Sequence, residues 1–211
     1  MLAEHECLRP EEIEKRSFEI ITEELNRLKI SLPEEEAPVT KRVIHTSADF
    51  DYVETLKYSE NAVKIARELI ANGADIVTDT NMALAGINKK RLARYGGKVH
   101  CFMADEDVAK EAASRGVTRA TVSMEKAMAI KVPVIFAIGN APTALIRLNE
   151  MIGSGEWRPA FIIGVPVGFV NVEYAKELIM KTDVPYIVNA GRKGGSNIAA
   201  AICNALIYGM E

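Results

Sequence analysis

From Gly73 onward, short β-branched runs alternate with helical periods, and this alternation limits the chain to one architecture. The runs "ADIVTDT", "KVHCFM", "VPVIFAIG", "AFIIGVPVG" and "PYIVNAG" are separated by "NKKRLARYG", helical material through "EKAMAI", "APTALIRLNEMIG" and "NVEYAKELIMKT", and "GSNIAAAICNALIYG" closes the series. Apolar strands joined by helices of about ten residues or more build βαβ units. An α/β fold with a mostly parallel sheet, covered by helices on both faces, is therefore expected. A further strand is expected around "YVETLKY".

Two amphipathic helices accompany the alternation. Phe18, Ile21, Leu25 and Leu28 recur at spacings of three and four within Glu12 to Ile30, and Ala62, Ile65, Ala66 and Leu69 do so within Asn61 to Asn72, with Gly73 as a stop. The acidic "SLPEEEAPVT" between them starts a helix, because proline is tolerated in a first turn and carboxylates favour that end. With 211 residues, 48% of them hydrophobic, the chain suits one large core, and residues 1–211 are read as a single domain.

Charge and cysteine usage exclude several classes. A net charge of -3 and a pI near 5.8 argue against nucleic acid or an anionic membrane surface as the main partner. The N-terminal "MLAEHECLRPEEIEKR" is acidic and lacks the basic start and apolar run of a signal peptide, and no apolar run is long enough to span a bilayer. Cys7, Cys101 and Cys203 are far apart and form no CxxC pair, which fits a reducing cytoplasm.

The segments after the apolar runs carry the functional signal. "TDTNM", "IGNAP", "GVPVG" and "NAGRKGGSN" are polar or glycine-rich, and in open parallel sheets the ligand lies beyond the carboxyl ends of the strands, so these four loops should line one pocket. In the last of them Gly194 and Gly195 let backbone approach a ligand, Ser196 caps the following helix, and Arg192 with Lys193 adds positive charge; an anion is expected there. Asn140 and Thr143 flank a second helix N-terminus. Taken singly, each such turn is also explained by loop geometry alone.

Other chemistries find no motif. Neither GxxxxGK[ST] nor a GxGxxG after a strand occurs, and no triad or nucleophile elbow is present. His45 and Asp49 stand at i and i+4, His100 and Cys101 would point to opposite faces of a strand, and His5 with Cys7 sits near the terminus, so no protein-bound metal is expected. If "APVTKRVIH" is helical, His45 lies in its last turn, where exposed carbonyls favour an imidazolium and Asp49 or Asp51 would add to that. Two readings stay open on spacing alone, a general acid and a capping histidine without chemistry.

Seven segments in order, "KRSFEII" (15–21), "VIHTSADFD" (43–51), "DTNMALAGI" (79–87), "GVTRA" (116–120), "AIGNAPTAL" (137–145), "GVPVGFV" (164–170) and "GRKGGSNIAAA" (191–201), resemble the precorrin-8X methylmutase family over nearly the whole chain. The resemblance implies a flavodoxin-like three-layer sandwich with a helical N-terminal extension, a homodimer, and a late step of corrin synthesis toward cobalamin. In that step a methyl group migrates from carbon 11 to carbon 12 of the macrocycle, formally a 1,5-sigmatropic shift without an external donor.

By the same resemblance His45 transfers a proton, and Ser17, Asn81, Arg119, Asn140, Thr143, Gly191, Arg192, Gly194, Gly195 and Ser196 bind the corrinoid. No cofactor is implied, and cobalt, if present, belongs to the substrate. "DTNM" and "NAGRKGG" look like the cobalt-dependent branch of the pathway. After "GVPVGFV" the chain departs from the family pattern: Glu173 and Lys176 are kept in type, Tyr174 and Ala175 are not. A noncatalytic corrinoid carrier and a nucleotide-binding regulator are the competing classes.

Overall fold

Nearly every apolar run becomes a strand in the structure, a computed structural model that describes residues 9–210. His5 and Cys7 lie outside the described residues. Helices α1 (Pro10–Arg27) and α2 (Ala37–Ser47) come first, then α3 (Tyr52–Thr55), β1 (Leu56–Tyr58), α4 (Ala62–Ala71), β2 (Asp75–Thr78), α5 (Asn81–Gly86) and α6 (Lys89–Leu92). There follow β3 (Val99–His100), α7 (Glu106–Arg115), α8 (Arg119–Lys126), β4 (Val134–Ile138), α9 (Pro142–Ser154), β5 (Phe161–Gly164), α10 (Val172–Met180), β6 (Tyr186–Asn189) and α11 (Ser196–Tyr208).

The six strands form one sheet in the order β1-β6-β5-β4-β2-β3, parallel except for β1, which runs antiparallel to β6. Counted along the chain, the parallel strands stand 2-1-3-4-5, the flavodoxin-like order, with its switch point between β2 and β4. The expected strand around "YVETLKY" is shorter than foreseen. Tyr52–Thr55 form a helical turn, closed by Thr55 N–H to the Asp51 carbonyl, and only Leu56–Tyr58 reach the edge of β6. "KVHCFM" likewise contributes only Val99 and His100, at the other edge.

Alternate side chains of the strands enter two cores. Ile135, Ala137, Phe161, Ile163 and Ile187 pack with α1, α2, α4 and α11, while Val77, Phe136, Ile138, Ile162 and Val188 pack with α8, α9 and α10. The N-terminal extension belongs to the first layer, because α2 buries Val39, Thr40, Val43 and Ile44 against it. No helix among the described residues is long and apolar enough to cross a membrane.

Candidate active site

Direct bonds tie the four loops at the carboxyl ends of β2, β4, β5 and β6 into one rim. At the switch point the buried Asp79 carboxylate accepts the N–H groups of Gly139 (2.8 Å), Asn140 (2.8 Å) and Ala141 (2.6 Å). Such amides at a helix N-terminus are a ready anion site. Here the chain fills it with its own carboxylate, so this position offers nothing to a phosphate. Burial pushes the Asp79 carboxyl above its ordinary range, and the three amides offset this only in part.

Beside it, Thr80 caps α5 by accepting the Ala83 N–H at 3.1 Å and shares a 2.7 Å hydrogen bond with the Ser196 hydroxyl. Ser196 is thus not the cap expected of it. Gly195 holds the N-cap position of α11, and the Ser196 side chain joins two loops instead. The glycines also answer to the chain's own packing. At Gly194, with φ +157°, a Cβ would fall 2.1 Å from the Val165 carbonyl oxygen, and the Gly195 N–H already donates to that carbonyl at 2.9 Å. Gly191, at φ +77°, is the left-handed turn before them.

Arg119 opens α8 behind its cap Thr118, whose hydroxyl accepts the Thr121 N–H at 3.2 Å and lies 2.9 Å from the Thr143 hydroxyl. Arg119 and Thr143 therefore share a corner of the rim. Asn81, Asn140 and Arg192 are exposed on it, and the Arg192 guanidinium lies 5.6 Å from the exposed Phe169 ring and 3.7 Å from Glu173.

His45 is in the last turn of α2, as expected, with its ring exposed and stacked on Phe18 at 5.3 Å. The Arg42 guanidinium, paired with Glu14, covers the same Phe18 ring at 4.8 Å. Ser17 and His45 line a largely apolar cavity of about 240 Å³ with Ile20, Ile21, Ile44 and Phe50. Asp49 and Asp51 do not serve His45. Both carboxylates bind the Lys193 ammonium, at 2.6 Å each, which holds Asp49 below and Lys193 above their ordinary pKa ranges. That ion pair latches the segment after His45 to the glycine-rich loop, and much of the charge expected of Lys193 is spent within the chain.

The four-loop rim and the His45 cavity are thus joined through the Lys193 ion pair with Asp49 and Asp51. Among the described residues, no hydrogen bond, ion pair or ring contact joins Ser17 or His45 to Asn81, Arg119, Asn140 or Thr143. The sequence reading also passed over Asp79, although an acid directly after a strand end was a signal for it, and it did not place Lys176 beneath the loop at 191–193.

A family model described as CbiC, precorrin-8X methylmutase, matches residues 12–209. The chain is 42% identical to the cobalt-precorrin-8 methylmutase of Priestia megaterium over 94% of its own length and 88% of that protein. It is 41% identical to the cobalt-precorrin-8 methylmutase of Salmonella typhimurium, with 97% of each chain covered. Its fold is similar to a crystal structure of precorrin-8x methyl mutase from Thermus thermophilus, with a TM-score of 0.84, 38% identity, and 93% and 96% of the two chains covered.

Proposed function

The chain belongs to the precorrin-8X methylmutase family, and from this we infer how its residues carry out the methyl shift that isomerises precorrin-8X, or its cobalt form, in cobalamin biosynthesis. The enzyme is an isomerase. The migrating methyl leaves carbon 11 as it bonds to carbon 12, so no nucleophile or external methyl donor is needed. An enzyme can act on such a step by holding the reactive conformer, excluding water and changing the charge of the conjugated ring by a proton.

The observation that carries our residue assignment is the placement of His45 and Ser17 on one apolar cavity at the end of α2. His45 exchanges the proton from a ring nitrogen. Its stack on Phe18 holds the imidazole plane, and the apolar cavity lies beside its exposed ring. The rim residues Asn81, Arg119, Asn140, Thr143, Arg192 and Ser196, with the turns at Gly191, Gly194 and Gly195, take the carboxylate fringe of the ring. Arg192→Ala is expected to weaken corrinoid binding by about 1.5–3 kcal/mol, the worth of a charge-assisted hydrogen bond. Titration of the product at low salt measures it, and unchanged affinity removes Arg192 from the site.

A cavity of about 240 Å³ is small for a macrocycle. We assign the missing wall to a second copy of the chain, since α1 carries the exposed Ile13 and Ile20 beside Ser17. Mixing His45→Ala with Ser17→Ala protein after subunit exchange should then restore some activity. Demonstrated exchange without any recovery, from two inactive parents, would refute the shared site.

The substrate favoured for this chain is the cobalt form, on the likeness to the enzymes of Priestia megaterium and Salmonella typhimurium. Cobalt then arrives with the substrate, and the single domain supplies no cofactor. The free thiols of Cys101 and Cys203 support a cytoplasmic setting. Incubation with cobalt-precorrin-8 and with precorrin-8X, followed by absorption, tests activity and branch together. Nothing favours a noncatalytic carrier, because the relatives are enzymes.

A further inference from the structure

One cation of the rim lies inside it. Lys176 on α10 is 0% exposed, and its Nζ donates to the carbonyls of Gly191 (2.6 Å) and Lys193 (2.8 Å). The other carbonyls of this turn are bonded as well. Asn189 Nδ2 donates to the Ala190 (3.2 Å) and Lys193 (2.8 Å) carbonyls, and the Gly168 N–H donates to the Arg192 carbonyl (3.2 Å). Carbonyls 190 to 193 are thus all bonded to protein donors. A turn whose negative ends face inward is polarised to receive an anion outside.

Neutral donors also tie backbone carbonyls, as Asn189 does here, and burying an ammonium is costly unless it is paired. No carboxylate is hydrogen-bonded to Lys176 among the described residues, and Glu173 acts on it only through space. We propose that Lys176 is a positioning residue for the reaction, its buried ammonium orienting the turn at 190–193 and supplying the positive field that draws a corrinoid carboxylate to it. This rests on the reading that the rim grips the carboxylate fringe.

Burial lowers the Lys176 pKa to about 8, against a weaker upward pull from Glu173. The other charges nearby are Arg192 and Lys193 on the turn itself, the latter held by Asp49 and Asp51. Of the elements packed on α10, β5 has no titratable residue, β6 has only the neutral Tyr186, and Arg147 and Glu150 of α9 are paired with each other, Arg147 also with Glu125 and Glu156. Between about pH 8 and the ordinary 10.5 the unfolded chain binds the extra proton, so this group adds stability as pH rises. Affinity lost over that range is not unfolding driven by Lys176.

The test compares wild type, Lys176→Met and Lys176→Gln. The measurements are product dissociation constant, KM and kcat from about pH 6.5 to 9.5. Wild-type affinity should fall about tenfold as pH rises through 8, the order expected when a charge-assisted contact is lost. Lys176→Gln removes the charge but retains a shorter amide donor, and should bind about tenfold more weakly at pH 7, with a flat profile and kcat near wild type. Lys176→Met should bind no better. Wild-type affinity and pH profile in Lys176→Gln, or a wild-type profile without a step near 8, overturns the proposal even if Lys176→Met fails to fold. A wild type inactive on both substrates would instead overturn the proposed reaction.

Discussion

His45→Ala is expected to lower turnover by about 10²–10⁴-fold, the usual contribution of a positioned proton donor, while product affinity stays near wild type. The separation follows from the architecture. His45 sits in the cavity at the end of α2, whereas the proposed grip on the carboxylate fringe belongs to the rim at the sheet edge. His45→Asn should fail as well, since an amide can hydrogen-bond but does not carry the proton at neutral pH. Single-turnover absorption and product titration together make the measurement. Either variant turning over at the wild-type rate would remove His45 from the chemistry.

The largest effect on stability is expected at Asp79. Asp79→Ala strands three amide donors, those of Gly139, Asn140 and Ala141, in buried or partly buried positions. At about 1 kcal/mol or more for each unsatisfied donor, the loss is about 3 kcal/mol, or a fall in Tm of about 6–12 °C for a chain of this size. Asp79→Asn should be milder. It avoids burying a charge, whose cost is what raises the Asp79 pKa, but it retains only one acceptor oxygen for the amides. Thermal unfolding of the two variants decides it, and a Tm of Asp79→Ala equal to wild type would show that the loop stands without its clamp. The same variants should bind product more weakly, because the clamped loop carries Asn140 and leads into Thr143.

The parts of the site legible beforehand share one property. His45 in a helix's last turn and polar loops following the strand ends each depend on residues close in sequence, where periodicity and turn chemistry act. The misassigned residues have remote partners. Asp49 and Asp51 looked like partners of His45 because they follow it closely, yet their ammonium is Lys193, 144 and 142 positions away. Ser196 was read as a local cap, but its hydroxyl meets Thr80, 116 positions away. At Gly194 the missing side chain also answers to a remote contact, the Val165 carbonyl oxygen.

The resemblance of seven segments pointed to the family; from pattern alone came the α/β class, the mostly parallel sheet, the N-terminal helices and the loops that carry the polar residues. These are encoded in short-range pattern, because a strand or helix buries its apolar residues at its own period whatever it packs against. Only the tertiary structure decided which charges neutralise one another. It put Asp79 into the amides of the switch point, spent Lys193 on Asp49 and Asp51, and buried Lys176 under the 190–193 turn, bonded to its carbonyls. Coulomb and hydrogen-bond energies depend on distance in space and on burial, and sequence separation reports neither.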